Sequence, residues 1–427
     1  MIIHNQMLGI ISKVKKSKTL VNGGLFSIYS FVNQGTSFLL LIILAKFILP
    51  DDYGRLSLFN TVVMFVNYFM AFSTSGYMGI PYFKDDRQEF KKTFTSIFNL
   101  ALFSLSIYLI IAFVLNLIEN IDIGFPTFLL FFAAVISFCT CISHMYLDYY
   151  RIKEDLKSYG IVSCGNSILN FVLSIFFVIS LSQGWVGRVE AQLICTFLFA
   201  FVGIIYFFRS KMFVNEWSWE RYKKLLFWGI PLIPHLASVW ICQGCDRYII
   251  NYFYSAYEVG LFSFALNLTS VIIMIGVAFN QTNSVALYKT LSDKCITNKR
   301  SYLSRQTRLI FFIYIVATFV VTILVCGIVP YVLPKYVGAL PYFVILSVYG
   351  FLQSVYFLYC NYLFYYEETK ALMYITFGSS ILHLLLSLLL TRFSLYNVCS
   401  IYILTQLVIV ALVYKKSKLL INKNIDI

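Results

Sequence analysis

Eleven polar side chains stand in or at the ends of long apolar runs: Gln34, Lys46, Arg55, Asn60, Asn67, His235, Gln243, Asp246, Arg247, Asn267 and Gln281. Groups of this kind are costly in a hydrocarbon setting, so they face either one another or a wet cavity. The chemistry they offer is binding rather than bond breaking. Asp246 either holds its neighbour Arg247 in place or carries a coupling proton, and the sequence leaves both open. No GxxxxGK[ST] phosphate loop, HExxH metal motif or GxSxG nucleophile elbow occurs in the chain. The paired acids Glu154–Asp155 and Glu367–Glu368 each sit beside a lysine and read as solvated helix ends. Cys242 and Cys245 form a lone CxxC in an apolar run, which reads as small apolar side chains.

The polar residues recur at helical spacing. Ser27, Ser30, Gln34 and Ser37 share one face of a first helix, and Ser57, Asn60, Thr61, Asn67, Thr74 and Ser75 form a broad stripe on a second. Ser263, Asn267, Ser270 and Gln281 repeat the pattern on an eighth. Such stripes line a cavity, or they hydrogen-bond helix to helix. Lys46 reads equally as a side chain snorkelling to the headgroups. His144 and Asp148 lie one turn apart, and His235 and His383 stand alone as structural or functional groups. Pro231 and Pro234 predict a bend in the helix that carries His235.

The elements that position these residues follow from composition. Of 427 residues, 60% are hydrophobic and 12% charged, and the charges cluster between apolar runs. A soluble domain carries about 25% charged residues, so the chain is a polytopic membrane protein. Runs long enough to span a bilayer lie near 22–49, 55–82, 94–118, 126–149, 158–182, 189–208, 225–252, 259–286, 307–332, 339–364, 371–391 and 394–414. The expected fold is therefore all-α, with twelve spans. The basic N-terminal stretch, Lys13 to Lys18, reads as a retained tail rather than a cleaved leader.

The chain also repeats itself. FILPDDYGRLSL at 47–58 is echoed by FYSAYEVGLFSF at 253–264, an offset of 206 that aligns Gly54 with Gly260 and Ser57 with Ser263. KEDLKSYGIVSCGNSILNFVLS from Lys153 is echoed from Tyr366 at an offset of 213. Both offsets are about half the chain, which predicts a six-helix bundle over 1–208, a linker at 209–224, a second bundle over 225–414 and a tail at 415–427. Six is even, so the repeats run parallel and leave a central cavity between them. Segments read as cytoplasmic hold 27 of the 33 lysines and arginines, which places both termini in the cytoplasm. The net charge of +14 then faces anionic lipid headgroups and implies no nucleic acid.

LAKFILPDDYGRLSLFN at 44–60, GIPLIPHL at 229–236, CDRYIINYFYSAYEVGLFSFALNL at 245–268, YRIKEDLKSYGI at 150–161 and LPKYVGALPYFVIL at 333–346 together resemble the polysaccharide transporters of the MOP flippase superfamily. The O-antigen flippases of the Wzx type are the most similar branch. The resemblance covers nearly the whole chain, in loose patterns rather than a catalytic signature. It implies a flippase of the bacterial inner membrane that moves an undecaprenyl-pyrophosphate-linked oligosaccharide from the cytoplasmic to the periplasmic leaflet. Alternating access, an ion gradient in place of ATP, and no cofactor or metal come with it. So do a polymerase and a chain-length regulator as partners, and action as a monomer. The family's cavity is cationic, and here Lys46, Arg247 and Arg55 are the matching positions. The competing readings are a cation-coupled exporter of small amphipathic compounds and a membrane enzyme of the same pathway. The latter needs a large outward loop, which the spacing of the runs leaves no room for.

Overall fold

A computed structural model describes residues 18–118, 122–292 and 299–425; the side chains of 18–24, 26, 27, 235, 424 and 425 lie outside that set. Among the described residues every regular element is helical. Among the described residues twelve helices are long and apolar enough to cross a membrane. They are α1 (Ile28–Phe47), α2 (Pro50–Lys84), α3 (Arg87–Leu117), α4 (Leu129–Ile152), α5 (Leu156–Ser180), α6 (Gly184–Arg209), α7 (Trp219–Phe253), α8 (Ala256–Ser292), α9 (Lys299–Val332), α10 (Pro334–Tyr365), α11 (Thr369–Leu390) and α12 (Leu395–Lys423). The helices outrun the apolar stretches that reveal them. Pro50–Asp52, which reads as a breaker, is the first turn of α2: proline is preorganised for that position, and Asp51 and Asp52 suit the positive end of the helix dipole. Large apolar side chains such as Phe103, Ile110, Phe312, Phe319 and Ile323 are exposed, as a lipid-facing surface requires.

By packing, the chain forms two units. The first comprises Met1–Phe47, Val62–Ile121 and Pro126–Ile233, the second Ile48–Thr61, Asp122–Phe125 and Pro234–Ile427. The division differs from a cut between the two halves of the sequence. Helix α2 starts in the second unit and continues in the first, and α7 does the reverse at its Ile233–Pro234 bond.

In the first unit α4 is the core helix, with Phe94, Tyr146, Tyr149 and Phe207 meeting in one aromatic cluster. Residues 209–224, expected as a linker, are pinned to this unit. Glu216 pairs with Lys92 (2.7 Å) and Arg221 (3.4 Å), and Arg221 and Lys92 both reach Glu89 (3.3 and 2.8 Å). The Val214 amide donates to Thr95 (3.0 Å). Helix α2 breaks inside this unit, where Ala71, Phe72 and Ser73 take φ of 51°, 51° and 60°. Each such residue costs about 1–3 kcal/mol and persists only where its surroundings impose it. Here the hydroxyls of Ser73 and Thr74 take up the carbonyls of Tyr68 and Ala71, both at 2.7 Å. Gly229 leaves room for the Phe72 carbonyl, which a Cβ at that position would meet at 2.3 Å.

In the second unit the repeat becomes physical contact. Any Cβ on Gly54 would lie 1.8 Å from the Ala256 carbonyl oxygen, and one on Gly260 would lie 1.8 Å from that of Pro50. Both relations are the same one, exchanged through the 206 offset. Between them the Ser57 hydroxyl donates to Ser263 (2.8 Å). Tyr336 seals the crossing: its ring packs on Phe264 at 4.4 Å, and its hydroxyl donates to the Ile48 carbonyl (3.0 Å). The second echo is equally concrete. Glu154 and Glu367, related by 213, are both left-handed (φ 57° and 58°). The amides that follow them close back on Tyr150 and Leu363, again 213 apart (3.0 and 2.8 Å).

Two predictions follow from this packing. Gly54→Ala and Gly260→Ala are each expected to cost about 3 kcal/mol or more through backbone overlap. Gly35→Ala, which meets nothing within 4 Å inside a helix, costs nothing and gains up to about 1 kcal/mol. Chemical unfolding of the purified protein in detergent measures all three. For the pinned segment, the Lys92 hydrogen bond, aided by Arg221, holds the Glu216 carboxyl below its ordinary value of 4.5. The stabilisation is therefore present above 4.5 and is lost as pH falls through the depressed value. The difference in Tm between the parent chain and Glu216→Gln should be present at neutral pH and close on acidification.

Candidate functional site

The polar residues nominated by sequence sort into three environments. Gln34, Lys46, Asn60, Gln243 and Gln281 are exposed, and Asn67 is half-buried. Gln34 donates to Ser30 of its own helix (2.8 Å). Arg55 turns back on Asp51 (3.0 Å), one helical turn away. His235 belongs to the helical stretch Ile233–Trp240, and its side chain lies outside the described residues.

The remaining three nominees gather in the second unit. Arg247 donates through Nε to Ser263 (3.1 Å) and through Nη1 to the Gln243 carbonyl. Asn267 donates to the Tyr53 hydroxyl (2.7 Å). Ser263 thus receives both Ser57 and Arg247, which ties the guanidinium to the Gly54–Gly260 crossing. A turn of π-helix at Ile241–Cys245 precedes Asp246, and the carboxylate faces away from Arg247. Asp246 is buried, and its Oδ2 lies 2.7 Å from Nε2 of His383 on α11. On the far side of the ring, Nδ1 lies 3.1 Å from the Thr405 hydroxyl on α12. That hydroxyl donates to the Ile401 carbonyl (2.7 Å), so it accepts from Nδ1–H. The Nε2–Oδ2 contact consequently holds one proton, on either atom. Asp246 Oδ1 and the Tyr402 hydroxyl have no hydrogen-bond partner among the described residues, and the Tyr402 ring stands edge-on to His383 at 4.9 Å.

The first unit holds a polar cavity of about 380 Å³ that the nominated residues miss. Asn33 and Ser37 of α1, His144 of α4, Asn166 and Asn170 of α5, and Arg188 and Gln192 of α6 line it. Arg188 donates to Asn170 (2.9 Å), and Asn33 bridges Ser163 and Ser167 (2.6 and 2.8 Å). The buried Ser143 hydroxyl borders the cavity without a partner among the described residues. Among the described residues no carboxylate lines it. The sequence signal was present: 163, 166, 167, 170 and 174 share one helical face, inside the segment whose echo marks the repeat.

The offsets relate the two loci. Asn166, Ser167, Asn170 and Ser174 correspond at 213 to Ser379, Ser380, His383 and Ser387, and Leu40 corresponds at 206 to Asp246. In the second unit these α11 residues are all buried and the face is closed. In the first, with leucine in place of aspartate, the face borders open polar space. Among the described residues no three His, Cys, Asp or Glu side chains gather as a metal site requires.

Helices of this number and apolarity define a multi-pass membrane protein. Its fold is that of the lipid II flippase MurJ in an inward closed conformation, at a TM-score of 0.75 and 13% identity over 92% of this chain and 87% of that one. An inward-facing multidrug resistance MATE transporter of the MOP superfamily is also similar, at 0.67 and 14% over 91% and 95%. The chain belongs to the polysaccharide biosynthesis protein family, whose profile it matches over residues 20–286. Protein 1 of the Lsg locus of Haemophilus influenzae is 21% identical over 260 residues, which span 60% of this chain and 64% of that relative.

The buried pair yields a stability prediction. Asp246→Ala removes the partner of a buried imidazole and is expected to cost about 1–3 kcal/mol. Asp246→Asn can still donate to Nε2 and should stay within about 1 kcal/mol of the parent in the same unfolding assay.

Proposed function

We propose that this protein is a flippase for an undecaprenyl-pyrophosphate-linked oligosaccharide, an O-antigen-type repeat unit, in the bacterial inner membrane. It carries the glycan from the cytoplasmic to the periplasmic leaflet by alternating access, with both termini cytoplasmic and one chain as the working unit. A polymerase and a chain-length regulator receive the product. The observation that carries this reading is the cavity at Arg188, in a member of a polysaccharide biosynthesis family. Carboxamides, hydroxyls and a single guanidinium are the groups that bind sugar hydroxyls. They have no evident use for a purely apolar cargo, since each polar group costs energy in the bilayer. Likeness to a lipid II flippase supports a lipid-linked cargo. Arg247, tied at the Ser57–Ser263 bridge, is the proposed contact for the pyrophosphate.

The proposed energy source is a proton gradient acting on Asp246 and His383. With the proton, the Nε2–Oδ2 contact is neutral in sum and closed. Without it, a carboxylate faces an imidazole lone pair at 2.7 Å, and the contact repels. Loss of the proton thus favours separation of α7 from α11, which is the kind of differential energy an alternating cycle requires.

The likeness to MATE transporters favours a second reading, export of small amphipathic cations. In the host strain, deletion of the gene should remove surface polysaccharide and leave lipid-linked repeat units inside, and a plasmid copy should restore both. Arg247→Ala and Asp246→Asn should fail to restore at normal abundance, while Arg247→Lys restores part. Unchanged polysaccharide in the deletion strain, with raised drug susceptibility, would transfer the argument to the exporter.

A further inference from the structure

The repeat brings a second kind of site into being, at the basic end of each unit. In the first unit Arg87 opens α3 and Lys153 follows the last turn of α4. With Tyr82, Phe90, Tyr149 and Met212 they enclose a pocket of about 410 Å³. Lys153 lies over the Tyr149 ring at 4.8 Å. Burial pulls the Lys153 pKa down, yet the nearby hydroxyls of Tyr149 and Tyr206 more than offset it and keep the ammonium charged. The Met212 wall belongs to the segment that Lys92 and Arg221 pin through Glu216.

In the second unit Arg300 and Arg308 at the start of α9, with Lys418 on α12, surround a pocket of about 250 Å³ walled by Tyr359, Tyr362 and Tyr414. The 213 offset carries Arg87 onto Arg300, Phe90 onto Leu303 and Tyr149 onto Tyr362. Among the described residues no carboxylate lines either pocket. The two sequences differ at most other positions, yet both place cations beside aromatic rings at one end of the spans. Cations set among aromatic rings at a helix end are the chemistry of a lipid phosphate: the charges meet the phosphate oxygens, and the rings sit at headgroup depth.

We infer that each unit carries a pocket for a lipid-borne phosphate, built on Arg87 and Lys153 in one repeat and on Arg300, Arg308 and Lys418 in the other. The inference does not depend on the flippase reading, because a phospholipid phosphodiester and the pyrophosphate of a polyprenyl carrier present the same oxygens.

Native mass spectrometry of the full chain, titrated with phosphatidylglycerol or phosphatidylcholine, tests it. Preferential retention of up to two phosphatidylglycerols is expected. Arg87→Gln and Arg300→Gln should each weaken one binding step about fivefold, and the double variant should weaken both. Arg392→Gln, at the opposite end of a span, should change nothing. Unfolding midpoints equal to the parent exclude misfolding as the cause, and Arg87→Lys and Arg300→Lys should restore most of the retention. Equal retention of the two lipids, or an equal loss from Arg392→Gln, would overturn the inference. Undecaprenyl pyrophosphate added in competition identifies the source. Displacement of phosphatidylglycerol from these sites assigns them to the carrier, and persistence assigns them to phospholipid; either result supports a phosphate site. Lipid binding as predicted, together with normal surface glycan in the deletion strain, would sink the flippase reading alone.

Discussion

The close approach of α2 and α8 is the constraint on which the second unit is built. Backbones can approach this closely only where a glycine presents no Cβ, and the crossing places one from each repeat there, Gly54 against the Ala256 carbonyl and Gly260 against that of Pro50. In lipid no hydrophobic effect drives helices together, so close packing and interhelical hydrogen bonds must do it. The crossing supplies both: carbonyl oxygens pack against glycines, and Ser57 donates to Ser263. Arg247 is then oriented by that same serine, and Tyr53 is held by Asn267 next to it. A guanidinium placed by two fixed acceptors is preorganised for an anion, which is why this corner is the proposed contact for the pyrophosphate.

Two loci related by the repeat are packed differently. The faces of α5 and α11 are related by the repeat, yet one borders a cavity of about 380 Å³ and the other is packed shut. Two exchanges account for the difference. Leucine at 40 against aspartate at 246 removes or adds a charge, and asparagine at 170 against histidine at 383 removes or adds its titratable partner. The first unit is left with neutral hydrogen-bonding groups and one guanidinium, suited to holding a polar cargo. The second acquires a buried carboxylate–imidazole contact of 2.7 Å, the place at which proton coupling is proposed.

Much of this was legible in the sequence, because hydropathy and repetition are written residue by residue. The twelve spans follow from apolar length alone. The echoes at 206 and 213 point to Gly54, Gly260, Glu154 and Glu367, and each sits at a matched geometric feature. What the sequence hid depends on helical phase and on distance along the chain. Asp246 and Arg247 are adjacent, but successive residues on a helix point about 100° apart, so one reaches His383 and the other Ser263. Asn166, Asn170 and Gln192 are uncharged and looked unremarkable among apolar neighbours. Only the assembly of four helices shows that they share a space. The left-handed stretch at Ala71–Ser73 carries no glycine to announce it, and the hydroxyls that satisfy its freed carbonyls are residues that helices accept anywhere in a membrane.

The central claim is that this chain moves a lipid-linked glycan across a bilayer. The most direct measurement places the purified protein in liposomes with a short polyprenyl-pyrophosphate oligosaccharide bearing a fluorophore. The fraction of label reachable by a membrane-impermeant quencher is then followed with and without a pH gradient. The protein is expected to speed redistribution between leaflets, with its direction set by the gradient, and Asp246→Asn to abolish both effects. Redistribution no faster than in protein-free liposomes, from a preparation that still moves a small lipophilic cation, would contradict it.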